Sequence, residues 1–264
     1  MSEVLRRFGL ETLQRETRPM LAEDFVFDPQ RITAARDLRI VYQEVFLEET
    51  PLMLLRQIHL QHATQPHTAA ALRMGLCWNG FRDALEVASR CAEAFQRRIP
   101  ENAVVNTAER YGVGDIGFAW PWSGKGEPDV IGFVRNNVVT VMHGHDMGDL
   151  AVPLARELDE ALRNLPTTNE YKPDDSGLFA DVRARVGQTP RVAPGGQLDF
   201  GELPAPEGSL LFFLATSGSV NRSIERANAW YYRAGSQKGR QEITLFRVSN
   251  GILPLMERLI LEVG

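Results

Sequence analysis

The stretch from Val113 to Leu165 constrains the fold most. It opens with the pair Gly114-Asp115 and continues through apolar runs at 116–122 and 130–142. It closes on Leu154, Leu158, Ala161, Leu162 and Leu165, which repeat at helical spacing. The run at 130–142 is broken at Arg135-Asn136-Asn137. Two consecutive asparagines tolerate the positive φ angles of a type I′ turn, so a hairpin is expected there. Pro153 falls in the first turn of the expected helix, where no internal amide bond is lost. Strand, turn, strand and amphipathic helix in that order predict an α+β domain.

Upstream, 40–48 and 54–62 alternate apolar and polar residues through Val41, Val45 and Leu47, then Ile58 and Leu60, as half-buried antiparallel strands do. Pro51 and the 64–67 stretch mark turns, and 70–78 reads as a third strand. Residues 80–97 carry Phe81, Ala84, Leu85, Ala88, Cys91, Ala92 and Phe95 at helical spacing, with Asn79 as the expected cap. A short helix is expected over 3–18, ended by Pro19. Cys77 and Cys91 flank or sit in the 80–97 segment. One continuous helix would hold the thiols ~21 Å apart, beyond disulfide reach.

The pattern changes near residue 170. Residues 166–176 are polar, proline-bounded and aperiodic, which marks a linker. Beyond it, β-rich runs at 179–186, 210–216, 229–233, 242–248 and 258–263 alternate with Gly and Pro turns, the spacing of an all-β sandwich. The expected organisation is therefore an α+β sheet domain over 1–165, with an antiparallel sheet and two main helices, the linker, and a β-sandwich over 177–264.

Charge narrows the partners. Residues 177–264 hold ten Lys/Arg against eight Asp/Glu, and residues 1–176 nineteen against twenty-six. Neither half has the dense basic surface that phosphate neutralisation needs, so nucleic acid is not an expected partner. No apolar run reaches the ~20 residues of a membrane span, and the N-terminus lacks a signal-peptide core.

Two family resemblances follow from quoted motifs. Gly114-Asp115-Ile116-Gly117-Phe118, Val134-Arg135-Asn136-Asn137-Val138-Val139-Thr140-Val141 and Leu154-Ala155-Arg156-Glu157-Leu158-Asp159 resemble a pattern of bacterial envelope proteins, with Asn136 where glycine is usual. That resemblance covers about residues 35–165. It implies a sheet with helices on one face, a non-catalytic role, and a cell-envelope or extracellular setting. The C-terminal segment resembles a bacterial immunoglobulin-like domain. The resemblance is carried by Val192-Ala193-Pro194-Gly195-Gly196-Gln197-Leu198, Trp230-Tyr231-Tyr232-Arg233-Ala234-Gly235 and the 239–245 and 259–263 segments, without the cysteine pair of antibody domains.

All five histidines fall in two groups: His59, His62 and His67, and His143 and His145 with Asp146 and Asp149. Imidazoles two apart at a strand end can both reach one Zn²⁺, with a carboxylate as third ligand. His143, His145 and Asp146, joined by His59 or His62, are therefore the candidate metal ligands. His143-Gly144-His145-Asp146 is not the metallo-β-lactamase element, because Asp146 comes one position early and Met147 replaces the next histidine. No Gly-x-Ser-x-Gly elbow or phosphate loop is present. Along 230–232 the rings alternate faces. Trp230 and Tyr232, with Arg222 and Arg233 nearby, are candidates for stacking on a carbohydrate or protein ligand.

The sequence thus points to a non-catalytic binding or scaffolding protein without a cofactor. The rival is a Zn-dependent hydrolase built on His143, His145 and Asp146.

Overall fold

A computed structural model describes residues 2–21, 32–78, 80–97, 99–100, 103–121, 126–168, 177, 179–203, 209–226, 228–249 and 252–264. The chain divides into two compact units, 1–171 and 172–264. No described helix is long and apolar enough to cross a membrane.

The first unit opens with α1 (Glu3–Arg7) and α2 (Leu10–Leu13), broken at Gly9, whose φ is 98°. The single helix expected over 3–18 is therefore two short ones. Strand β1 (Met20–Leu21) follows, then β2 (Leu38–Glu49), β3 (Leu52–His62), β4 (Ala69–Cys77), α3 (Phe81–Gln96), β5 (Val105–Asn106), α4 (Thr107–Tyr111), β6 (Ile116–Trp120), β7 (Val130–Arg135), β8 (Val138–His145), α5 (Ala151–Arg163) and β9 (Thr167–Thr168). Residue 79 lies outside the described residues, and Gly80 occupies the N-cap of α3. Thr167–Thr168 pair with Met20–Leu21, so the start of the expected linker is part of this unit; 169–176 lie outside the described residues.

Seven strands form one antiparallel sheet in the order β2-β3-β4-β8-β7-β6-β5. Every residue of β6 and the first five of β7 are buried, which requires cover on both faces. One face carries Met53, Cys77, Phe118, Trp120, Val130, Val134 and Val139, packed against α1, α2 and the apolar side of α3. Arg135 projects from the opposite face, because side chains alternate along β7, and there it meets Asp159 of α5. The helices therefore lie on both faces, not on one as the envelope pattern implied. α5 buries Leu154, Leu158 and Leu162 in the expected stripe.

The motifs of the 113–165 stretch meet in one buried charge network. Asp115 accepts from Arg135 Nη1 (2.5 Å) and from the backbone N–H of Asn136 (2.8 Å), and it pairs with Arg18. Arg135 grips Asp159 with Nε (2.7 Å) and Nη2 (2.8 Å), and Arg163 adds a contact at 3.0 Å. Burial pulls the Arg135 pKa down, but the hydrogen bond to Asp159 and the fields of both carboxylates outweigh it and raise the pKa overall. The aspartates of the Gly-Asp pair and of α5 are thus two ends of one clamp across the hairpin.

The turn differs from expectation. Asn136 has φ 49°, and Asn137 is not in the left-handed region, the sign pattern of a type II′ turn and not of I′. Asn137 is buried and has other work. Its Nδ2 donates to the Cys77 carbonyl (3.0 Å), and its Oδ1 accepts from the Leu21 N–H (2.6 Å). Two glycines admit a close crossing of β6 and β7. A Cβ on Gly132 would lie 2.3 Å from the Phe118 ring, and one on Gly117 would lie 2.3 Å from the Gly132 carbonyl.

The second unit contains α6 (Ala180–Val186), β10 (Arg191–Val192), β11 (Gln197–Glu202), β12 (Ser209–Ala215), β13 (Ser219–Arg222), β14 (Ala229–Arg233), β15 (Gly239–Ser249) and β16 (Ile252–Val263). Its strands form a four-stranded sheet, β10-β16-β15-β12, and a three-stranded sheet, β11-β14-β13. Phe200 and Tyr232 of the second share one core with Ile243, Leu245, Leu259 and Leu261 of the first. The 179–186 run is a helix and not the strand expected. Phe179 and Val182 enter the same core, and buried Glu257 accepts the Phe179 N–H (2.6 Å) and pairs with Arg183.

Candidate functional site

The two histidine groups converge through strand register. His59 of β3 lies opposite Ala71 of β4, and Ala71 lies opposite His143 of β8. One row further, Gln61, Ala69 and His145 line up in the same way. Residues directly opposite share a face, so all six side chains stand on one side of the sheet. It is the side on which Val139 and Val141 pack with α3, by the alternation along β8. Two strand spacings, about 9.5 Å, separate the Cα atoms of His59 and His143, and the small Ala71 leaves a trough between them.

This trough is a groove of about 520 Å³ lined by His59, Gln61, Ala69, Ala71, Asp129, His143, His145 and Asp146, with Val41 at its β2 rim. Tyr42 pairs with His59, and the two rings meet edge-on at 5.2 Å. Gln57 Nε2 stands 2.9 Å from His59 Nε2 and fixes that ring. Asp146 holds φ 51° at the end of β8, and its carboxylate is 3.7 Å from His145 Nε2. Its carbonyl accepts from the Thr68 hydroxyl (3.3 Å). The Tyr42 hydroxyl donates to Glu44 (2.5 Å), and this bond together with the nearby carboxylate raises the tyrosine pKa.

His62 does not join the groove. It alternates to the other face, and its Nδ1 takes the N–H groups of Thr64 (3.3 Å) and Gln65 (3.2 Å) in the turn after β3. His59, His143, His145 and Asp146 do come together as the sequence suggested. Asp129 and Val41 were not anticipated as lining. Among the described residues, no three His, Cys, Asp or Glu side chains are placed to share one metal ion.

The aromatic candidates of the second unit separate. Tyr232 is fully buried, with its hydroxyl donating to the Ser217 carbonyl (2.7 Å), and Trp230 packs against Phe213 at 4.7 Å. Both face the core and are not free to stack on a ligand. Arg222 lies opposite Trp230 and donates to Asn228 (2.9 Å), while exposed Arg233 lies opposite Ser219. Tyr231, with Asn221 opposite, is the outward ring, which the alternation along 230–232 allowed but did not orient.

Neither cysteine offers a reactive thiolate. Cys77 and Cys91 are unpaired; burial pushes the Cys77 thiol up to about 12 and raises that of Cys91.

Fold and groove together define a β-rich protein of two units with a preformed concavity in the first. Comparison with family models, with curated proteins and with solved structures finds no match.

Proposed function

We propose that the protein is a non-catalytic binding protein that takes a small ligand in the groove of its first unit, with the second unit as an immunoglobulin-like scaffold. One observation carries the reading: the groove is built by register. Its floor and walls come from β3, β4 and β8, so the lining is ordered before any ligand arrives, as in most small-molecule sites. Two sheets around one core support the immunoglobulin-like assignment. The resemblance of the Gly114-Asp115 pattern supports a setting at or beyond the cell envelope.

The test is an amide NMR titration of the full chain with a small-fragment library, beside an Ala71→Leu variant whose side chain fills the trough. Shifts concentrated on 59–61, 69–71 and 143–146, and lost in the variant, support the reading. Fragments that leave those amides unmoved while shifting others refute it.

A second reading, a metal-dependent hydrolase using His59, His143, His145 and Asp146, is favoured by the alignment of His59 and His143 across Ala71. It requires a stoichiometric transition metal in protein purified without a histidine tag, lost on His143→Ala. Metal-free protein of unchanged stability removes it.

A further inference from the structure

We propose that two copies of the chain join through strand β12 of the second unit, antiparallel about a twofold axis at Phe212; the proposal is independent of the groove. The backbone supplies the first argument. The Thr216 N–H donates to the Glu242 carbonyl (2.9 Å), one residue beyond the pair of Ala215 and Ile243, and bonded pairs alternate along an antiparallel ladder. Leu210, Phe212 and Leu214 therefore bond to β15, and the N–H and C=O groups of Leu211 and Phe213 point the other way. Strand β12 is the last in its sheet, and no described residue accepts those two N–H groups.

The other sheet edges of this unit are guarded. Strand β10 is two residues long, β11 breaks at a bulge between Asp199 and Gly201 and carries Asp199 and Glu202, and β13 is four residues long and ends on Arg222. Short length, bulges and charge are the devices that keep edges apart. Strand β12 has none of them: Ser209–Ala215 reads SLLFFLA, seven residues without charge, proline or glycine.

The side chains select a second copy as the occupant. Leu211, Phe213 and Ala215 pack into the core, so by alternation Leu210, Phe212 and Leu214 stand on the outer face, with Leu210 47% exposed. This Leu-Phe-Leu row reads the same in both directions. A copy laid antiparallel with Phe212 on the axis sets Leu210 against Leu214 of the second copy and Phe212 against its own counterpart, a pair without backbone bonds whose side chains stand close. The same register places Leu211 opposite Phe213 of the second copy, so outward N–H groups meet outward carbonyls. No charges are brought face to face, and one surface serves both partners, as a twofold interface requires. A single strand edge gives an interface below about 1,200 Å², so association in the micromolar range or weaker is expected.

Sedimentation equilibrium of the full chain from about 1 μM to about 1 mM is expected to show monomer and dimer in exchange. Amide exchange of Leu211 and Phe213 should slow about tenfold once about nine-tenths of the chain is dimeric. Phe212→Lys and Phe212→Glu each set like charges together on the axis and are expected to weaken the dimer at least about tenfold, while an equimolar mixture of the two restores it. Leu210→Lys, at an exposed site, removes the contact with Leu214 of the second copy and reads the same interface should the Phe212 variants fail to fold. A chain that sediments as a monomer at about 1 mM overturns the proposal. So does a dimer that neither Phe212→Lys nor Leu210→Lys weakens, or one in which the Leu211 and Phe213 amides exchange at the monomer's rate.

Discussion

Replacing Asp159 by alanine tests whether the motif-rich stretch is a structural clamp. The carboxylate is 2% exposed and receives Arg135 Nε and Nη2 and Arg163 Nη2. Without it the Arg135 guanidinium, 14% exposed, keeps only Asp115. Removing one partner of a buried pair costs about 3–5 kcal/mol, and the surviving Asp115 contact places this case near about 3 kcal/mol. In a cooperative unit of 150–250 residues that lowers the melting temperature by roughly 6–12 °C. Calorimetry reads the shift, and hydrogen exchange assigns it, with protection lost along β6, β7 and α5. Arg163→Ala, at a half-exposed position, is the control and should cost less than about 1 kcal/mol. The double replacement Arg135→Met with Asp159→Leu should recover only part of the loss, because the apolar pair avoids the desolvation of both ions but leaves buried Asp115 with Arg18 and the Asn136 N–H alone. A loss in Asp159→Ala no larger than in Arg163→Ala would refute the clamp.

Further outcomes follow from the same packing. Gly117→Ala drives a methyl into the Gly132 carbonyl and should cost about 1–3 kcal/mol by denaturant titration. Glu257→Ala strands Arg183 and the Phe179 N–H, and exchange should show α6 losing protection while the first unit keeps its own. Tyr232→Phe should cost about 1 kcal/mol through its lost hydrogen bond, and Tyr231→Phe close to nothing. Cys77 should resist alkylation at pH 8 until the chain unfolds. Because the folded thiol keeps its proton to about 12 while the unfolded one releases it near 9.0, the folded state binds more protons in that window. Stability should accordingly fall as pH rises above 9.0, and urea midpoints across that range check the sign.

The sequence revealed those features whose signal is a local period. Alternation in 54–62 marked β3, and helical spacing marked α3 and α5, because each buries one side along its length; 40–48 is strand β2 as expected, but residues 39–44 are exposed on both sides, so its alternation did not report burial. It misread 179–186. Phe179, Val182 and Val186 stand three and four apart, a helical signal hidden by its brevity and by the strands that follow. The meeting of His59 with His143 depends on the register of three strands, which no single segment encodes. For the same reason Trp230 and Tyr232 were known to share a face, while the choice of face was set by β15 and β16, far along the chain. The aspartates at 115 and 159 were visible as a pattern, but only the folded hairpin between them shows that one arginine serves both.

Strand β2 ends the large sheet with an edge whose outer hydrogen-bonding groups no other described strand takes up, the kind of boundary on which ordered aggregates grow. The unpartnered Val41 bends that boundary, and Glu44 and Glu48 further along it would set like charges against an incoming copy. One residue thus stands both at the wall of the groove and at the break in the edge ladder. Deleting Val41 alone should straighten the ladder, and light scattering of the concentrated variant beside the natural chain tests whether the edge then recruits further copies.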